Sequence, residues 1–257
     1  MPLWSYSRLN TFESCALQYR FRYVDQIPPP REGIEAFMGS RVHEALEWLY
    51  QQRQGGSVPG QGDVLTRYFR CWEQAWHAGV VVIREGMTPD DYRDKGGEAI
   101  VKYYRRHHPF EDGEILGLEH EVRFDLAGPG EHKIRGFIDR LVRAADDTVE
   151  IHDYKTSGRL PGADHFEDDW QLALYQLALE RMGQANGRVR LVWHYLVFDQ
   201  QFTSTRTPAH LAAVERDVLR RIATVERAAE YPARISPLCR WCAYVQTCPA
   251  YAASRSR

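Results

Sequence analysis

Lysine is scarce in this chain. Of 33 basic residues only Lys95, Lys102, Lys133 and Lys155 are lysines. The formal net charge is -2, which excludes a uniformly basic surface and leaves any nucleic-acid contact to local arginine patches. No apolar run approaches the roughly 20 residues that span a bilayer, and no signal-peptide core is present. The expectation is a cytoplasmic chain without a membrane partner. Cysteine is limited to five. In a cytosolic chain this argues for metal or cofactor binding rather than disulfides. What remains is 257 residues, 44% hydrophobic and 26% charged, enough for one large globular domain.

One stretch organises the rest. From Arg135 to Asp139 apolar and polar residues alternate, Ala144 to Thr148 is turn-like, and Val149 to Lys155 alternates again. This predicts a β-hairpin. Side chains two apart on a strand share a face, so Asp153 and Lys155 point the same way. Pairing across the hairpin brings Asp139 beside them. Two carboxylates and an ammonium at one spot are costly in a core. They suit a site that holds a divalent cation and an anionic substrate.

Ser5 and Ser7 are candidate caps for one helix carrying Leu9, Phe12, Ala16, Tyr19 and Tyr23, with Cys15 on its flank. Phe37 to Gln52 reads as a second helix, where Gly39 and His43 lie one turn apart. The glycine admits close approach, and a neutral His43 offers a ring nitrogen to a metal; an ordinary helix histidine is the alternative. Residues 54–110 read as a helical insertion, with Thr88 capping a helix that starts at Pro89 and runs to about Arg106. Ile115 to Leu126 alternates as a strand. Its Glu119 and Glu121 read as solvated carboxylates, with either able to join a metal site. Asp168 to Met182 is a helix on which Gln171 and Tyr175 share a side, suited to phosphate oxygens or a base edge. Val189 to Val197 is a further strand. A last long helix carries Arg216, Arg220, Arg221 and Arg227, a phosphate-facing or merely solvated stripe. The tail holds Cys239, Cys242 and Cys248 at C-x2-C-x5-C spacing, with little periodicity of its own. Cys15 is the obvious fourth donor. Pro249 after the last cysteine matches iron–sulfur usage; zinc in a four-cysteine site is the competing reading.

Taken together in order, these residues resemble the PD-(D/E)XK nuclease superfamily, in its RecB-type branch with an iron–sulfur cluster. That branch includes AddB-like helicase–nuclease domains and CRISPR-associated adaptation exonucleases. The N-terminal helix with Cys15, Gly39-x-x-x-His43, Gly136 to Arg140, Asp153 to Thr156, Gln171-x-x-x-Tyr175 and the three tail cysteines are each similar to a family motif. Ile138 stands where the superfamily's proline would precede Asp139. The resemblance implies a restriction-endonuclease-like α/β fold, a central mixed sheet flanked by helices. It implies Mg²⁺ or Mn²⁺ held by His43, Asp139, Asp153 and the Tyr154 carbonyl, with Lys155, Gln171 and Tyr175 completing the catalytic set. It implies a 4Fe-4S cluster on Cys15, Cys239, Cys242 and Cys248, with residues 231–257 as the cluster region. The expected activity is DNA cleavage, exonucleolytic at single strands or ends, in repair, recombination or CRISPR adaptation, with helicase or CRISPR integrase proteins as candidate partners. A non-catalytic DNA-binding or assembly subunit that keeps the fold is the alternative.

Overall fold

The computed structural model describes residues 2–162, 164–185 and 187–255. α1 (Tyr6–Ser14) starts where Ser5 accepts a hydrogen bond from the Arg8 N–H at 3.1 Å, which satisfies a first-turn donor. The single helix expected through Tyr23 is broken at Cys15, whose φ of -164° is extended. The chain resumes as α2 (Ala16–Tyr19) and a π-turn over Arg20–Val24. The break coincides with contacts from far along the chain: the Cys15 sulfur accepts the Arg234 N–H at 3.4 Å and the Pro232 carbonyl accepts the Leu17 N–H.

After β1 (Glu32–Gly33) come α3 (Ile34–Gln54), α4 (Gln61–Ala75), β2 (Val80–Val81) and α5 (Pro89–His107). α5 begins with a reciprocal capping box between Thr88 and Asp91 and with Pro89 in its first turn, which fixes where it starts. The three long helices bury one core around Met38, Val42, Leu46, Tyr68 and Ile100. Then come β3 (Glu114–Gly128), β4 (Glu131–Arg143), β5 (Val149–Lys155), α6 (His165–Asp168), α7 (Trp170–Arg181), β6 (Val189–Tyr195), β7 (Gln200–Ser204), α8 (Pro208–Glu226) and α9 (Pro249–Arg255).

Five strands form one sheet in the order β3-β4-β5-β6-β7. Within this sheet β5 and β6 pair in parallel and the other neighbours antiparallel, and α7 supplies the crossover, so the sheet is mixed. Helices α1, α7 and α8 cover one face around Ile138, Ile151, Leu172, Leu191 and Val218; α3 and α5 cover the other, reaching Tyr154. β5 is buried from Val149 through Tyr154. No described helix is long and apolar enough to cross a membrane.

One irregularity matters for function. β4 pairs with β5 only over Arg140–Arg143. Further toward its N-terminal end the place beside β4 is taken by Trp4, whose N–H donates to the Lys133 carbonyl and whose carbonyl accepts the Arg135 N–H, both at 2.8 Å. The strands β4 and β5 therefore fork at Asp139. The alternation of β4 also slips there. Ile138 and Leu141, three apart, both join the α7 core, while Arg140 is 1% exposed with its guanidinium 4.3 Å from the Tyr50 ring on α3.

Candidate metal centre and active site

The fork builds the site. Past the last β4–β5 rung the Tyr154 N–H donates to Asp139 Oδ2 at 2.6 Å, so a carboxylate replaces the missing backbone acceptor. α3 lays His43 against the same point. Its Nε2 is 2.9 Å from the Tyr154 carbonyl and its Nδ1 is 3.5 Å from Asp139 Oδ1. Gly39, one turn earlier, permits this approach, since a Cβ there would stand 2.8 Å from Thr156 Oγ1. With Nε2 donating to a carbonyl and Nδ1 facing a carboxylate, both nitrogens carry protons; the assignment follows from these partners. Burial works against that charge, but Asp139 and then Asp153 outweigh it and hold the ring's pKa at about 9.

Glu119 completes the group. Leu118 pairs with Arg140 and His120 with Ile138, which puts Glu119 across from Asp139. Its φ of 43° is left-handed, an uncommon backbone state for a glutamate. Ligand atoms of His43, Glu119 and Asp139 all lie within 4.8 Å of one another. Burial, then the charge of Asp139, raises the Glu119 carboxyl to about 7. Two carboxylates and an imidazole this close together fit a hard divalent cation. The sequence reading preferred Glu119 as a solvated carboxylate. Only the strand register reveals its neighbours.

On the other side of the fork Lys155 Nζ is 2.7 Å from Asp153 Oδ2 and donates to Gln171 Oε1 at 3.2 Å. The Asp153 oxygen is buried, so the ammonium beside it offsets a charge that water does not reach. Burial opposes the lysine's charge, but Asp153 outweighs it and keeps the ammonium protonated far above the ordinary range. Burial also raises the Asp153 carboxyl, with Lys155 opposing and Asp139 adding to the rise. Gln171 Nε2 reaches Tyr175 Oη at 3.4 Å, and burial lifts the Tyr175 phenol to about 12. The hairpin and α7 thus bring Asp139, Asp153, Lys155, Gln171 and Tyr175 to one place. Asp153 is not among the atoms gathered within 4.8 Å around His43.

Behind β5 a buried polar layer fixes the strand. Arg140 Nη2 donates to His152 Nδ1 at 3.0 Å. Burial and then the charge of Arg140 keep His152 neutral. The hydroxyls of Tyr50, Tyr103 and Tyr154 chain together at 2.7 and 3.2 Å. Such a buried network restricts the strand to few arrangements, here one that aims the Tyr154 N–H and carbonyl into the fork, although Arg140 Nε finds no partner in it.

The remaining candidates fall elsewhere. Cys15, Cys239, Cys242 and Cys248 line one cavity of about 90 Å³ with Ala233, Leu238 and Tyr244. The Ser236 N–H donates to Cys239 Sγ at 3.3 Å. Among the described residues no three cysteine sulfurs lie within 4.8 Å of one another. Cys71 is buried in α4, as its isolation in the sequence suggests. The arginines of α8 are largely engaged: Arg221 binds Asp217 and Glu13 and stacks over Trp170, and Arg220 binds Asp217. Arg221 ties α8 to α1 and α7.

A mixed sheet flanked by helices, with carboxylates, a histidine and a lysine at a strand fork, is the architecture of a metal-dependent nuclease. The chain belongs to the PD-(D/E)XK nuclease superfamily, which matches it over residues 3–249. A solved structure, "Crystal structure of SSO0001", covers 95% of this chain and 95% of its own at 15% identity, with a TM-score of 0.38. No curated protein matches the chain.

Proposed function

We propose that this protein is a metal-dependent deoxyribonuclease acting on single-stranded DNA or DNA ends. The observation that carries the reading is the fork itself, where His43, Glu119 and Asp139 converge within 4.8 Å and the Asp153–Lys155 pair stands beside them. Mg²⁺ or Mn²⁺ would be held by His43, Glu119 and Asp139, with Asp153 and the Tyr154 carbonyl as further oxygen donors. When bound, such a cation polarises the scissile phosphate and acidifies a water. Lys155, paired with Asp153 as an ammonium, would stabilise the charge that builds on the phosphoryl oxygens. Gln171 positions Lys155 through Oε1 and donates from Nε2 to Tyr175, whose own hydroxyl proton would go to a phosphate oxygen.

The four cysteines are proposed to hold a 4Fe-4S cluster that staples the N-terminal helices to the tail. A tetrahedral zinc with bonds of about 2.3 Å needs sulfurs only about 3.8 Å apart. The backbone N–H groups aimed at Cys15 and Cys239 suit cluster-bound thiolates, with zinc as the competing occupant. This combination suits the RecB- and AddB-like or CRISPR-adaptation branch, with helicase or integrase partners in the cytoplasm. The deciding experiment is cleavage of end-labelled single- and double-stranded DNA with Mg²⁺ or Mn²⁺. Wild type cleaves and folded Lys155→Ala does not. Equal cleavage by Lys155→Ala refutes the assignment, and DNA binding without any cleavage turns the reading to a non-catalytic subunit.

A further inference from the structure

We infer that Phe137 and the arginine pair Arg123–Arg135 form a shelf for single-stranded nucleic acid, stacking a base beside the fork and gripping its phosphate. The inference rests on the nuclease reading above and adds the route by which a strand reaches the site.

Phe137 is two residues before Asp139 on β4, on the face opposite Ile138, which is buried in the α7 core. Residues two apart on a strand share a face and lie about 7 Å apart, a span that one extended nucleotide bridges. The ring is 42% exposed. It is not an isolated apolar residue, because the Arg135 guanidinium lies 4.8 Å from its centroid.

The neighbouring rung is unusual. Arg135 pairs directly with Arg123, and Phe137 with Glu121. Like charges directly opposite each other destabilise a strand pair, and an exposed phenylalanine gains little burial. Glu121 alone compensates, 2.6 Å from Arg123 Nε and 2.7 Å from Arg135 Nε. One carboxylate between two guanidiniums leaves positive charge over, at the position a phosphate would take. An open groove that shares Arg123 is lined also by Leu3, Lys133 and Asp125. Aromatic rings beside a positive track are how proteins bind single strands without reading sequence. A duplex does not fit, since its bases already stack on one another and offer no free face.

The test compares a fluorescein-labelled oligo-dT with an abasic oligomer of equal length, in Ca²⁺ to suppress cleavage. Phe137→Ala is expected to weaken oligo-dT binding about 5- to 100-fold and to leave the abasic oligomer nearly unchanged, while Phe137→Trp restores the preference. Arg135→Gln is expected to weaken both oligomers and to lower the salt slope by about 1. In Mg²⁺, Phe137→Ala raises KM for single strands more than it lowers kcat. If wild type cleaves DNA and Phe137→Ala binds oligo-dT as tightly as wild type, the shelf is wrong while the nuclease stands. Equal losses on oligo-dT and on the abasic oligomer also overturn it. A wild type that neither binds nor cleaves DNA overturns both readings.

Discussion

Gly136→Ala sets two effects of opposite sign against each other. Gly136 lies in β4, and a Cβ there would meet the Tyr175 ring 3.0 Å from Cδ1 and Cζ, and nearer still to Cε1. Carbon atoms rest at about 3.5–4.0 Å, so ring or strand must retreat by roughly an ångström. Tyr175 is 7% exposed in the packed interior of α7, and such overpacking costs about 1–3 kcal/mol. Without the clash, alanine would stabilise the strand, because glycine in a strand interior is worse by about 0.5–1 kcal/mol. The packing term is larger, so Gly136→Ala is expected to lower Tm, by about 2–4 °C for each kcal/mol in a chain of this size. The Tyr175–Gln171 hydrogen bond, already 3.4 Å long, would break, freeing Gln171 from its post on Lys155. Misplacement of that order costs on the order of 10²-fold in rate. Differential scanning calorimetry and cleavage assays read the two effects. On a Tyr175→Ala background the destabilisation by Gly136→Ala should vanish. A Gly136→Ala protein more stable than wild type, with full activity, would refute the packing of α7 against β4.

Three further outcomes follow from the site. Between pH 7 and 9, without divalent cations, stability should fall as pH rises, with a slope approaching about 1.4 kcal/mol per pH unit. His43 titrates at about 9 in the fold, above its unfolded value, so its contribution is complete below about 6.5 and gone above 9. His152 and His194, held neutral by burial, have finished titrating before that window; urea midpoints that rise with pH would contradict this. Glu119→Gln should weaken Mn²⁺ binding at pH 8 by at least the roughly 10–100-fold that outer partners of metal ligands cost, and calorimetric titration giving an unchanged affinity would remove Glu119 from the centre. Anaerobically purified wild type should contain iron and sulfide, and Cys242→Ser should lose both; zinc without iron in wild type would reject the cluster.

What was legible in the sequence was local. The turn from Ala144 to Thr148 and the Thr88–Asp91 cap are encoded within a few residues, and they stand where expected. β7 was missed because it is an edge strand whose one large apolar residue is Phe202; the chain reaches it through Asp199 in a left-handed turn. At the break Cys15 meets Arg234, 219 residues away, a contact that helical periodicity does not mark. Arg140 reads as a surface charge on an alternating strand, yet it is buried because Tyr50, Asp112 and His152 meet it from three separate segments.

The fork explains why Asp139 has two duties that can be separated. Its carboxylate faces His43 on one side and accepts the Tyr154 N–H on the other. Tyr154 is 5% exposed, so Asp139→Ala orphans a buried donor at a cost of about 1–3 kcal/mol. Asp139→Asn keeps an amide oxygen for that donor but removes the charge. Both variants should lose tight Mn²⁺ binding, and in both the His43 pKa should drop from about 9, because Asp139 is the main force raising it against burial. Only Asp139→Ala should lower the urea midpoint substantially. NMR titration of the His43 ring and denaturation of the two variants separate the duties. Equal destabilisation by Asn and Ala would mean that Tyr154 does not depend on the carboxylate oxygen, and that the strands part for some other reason.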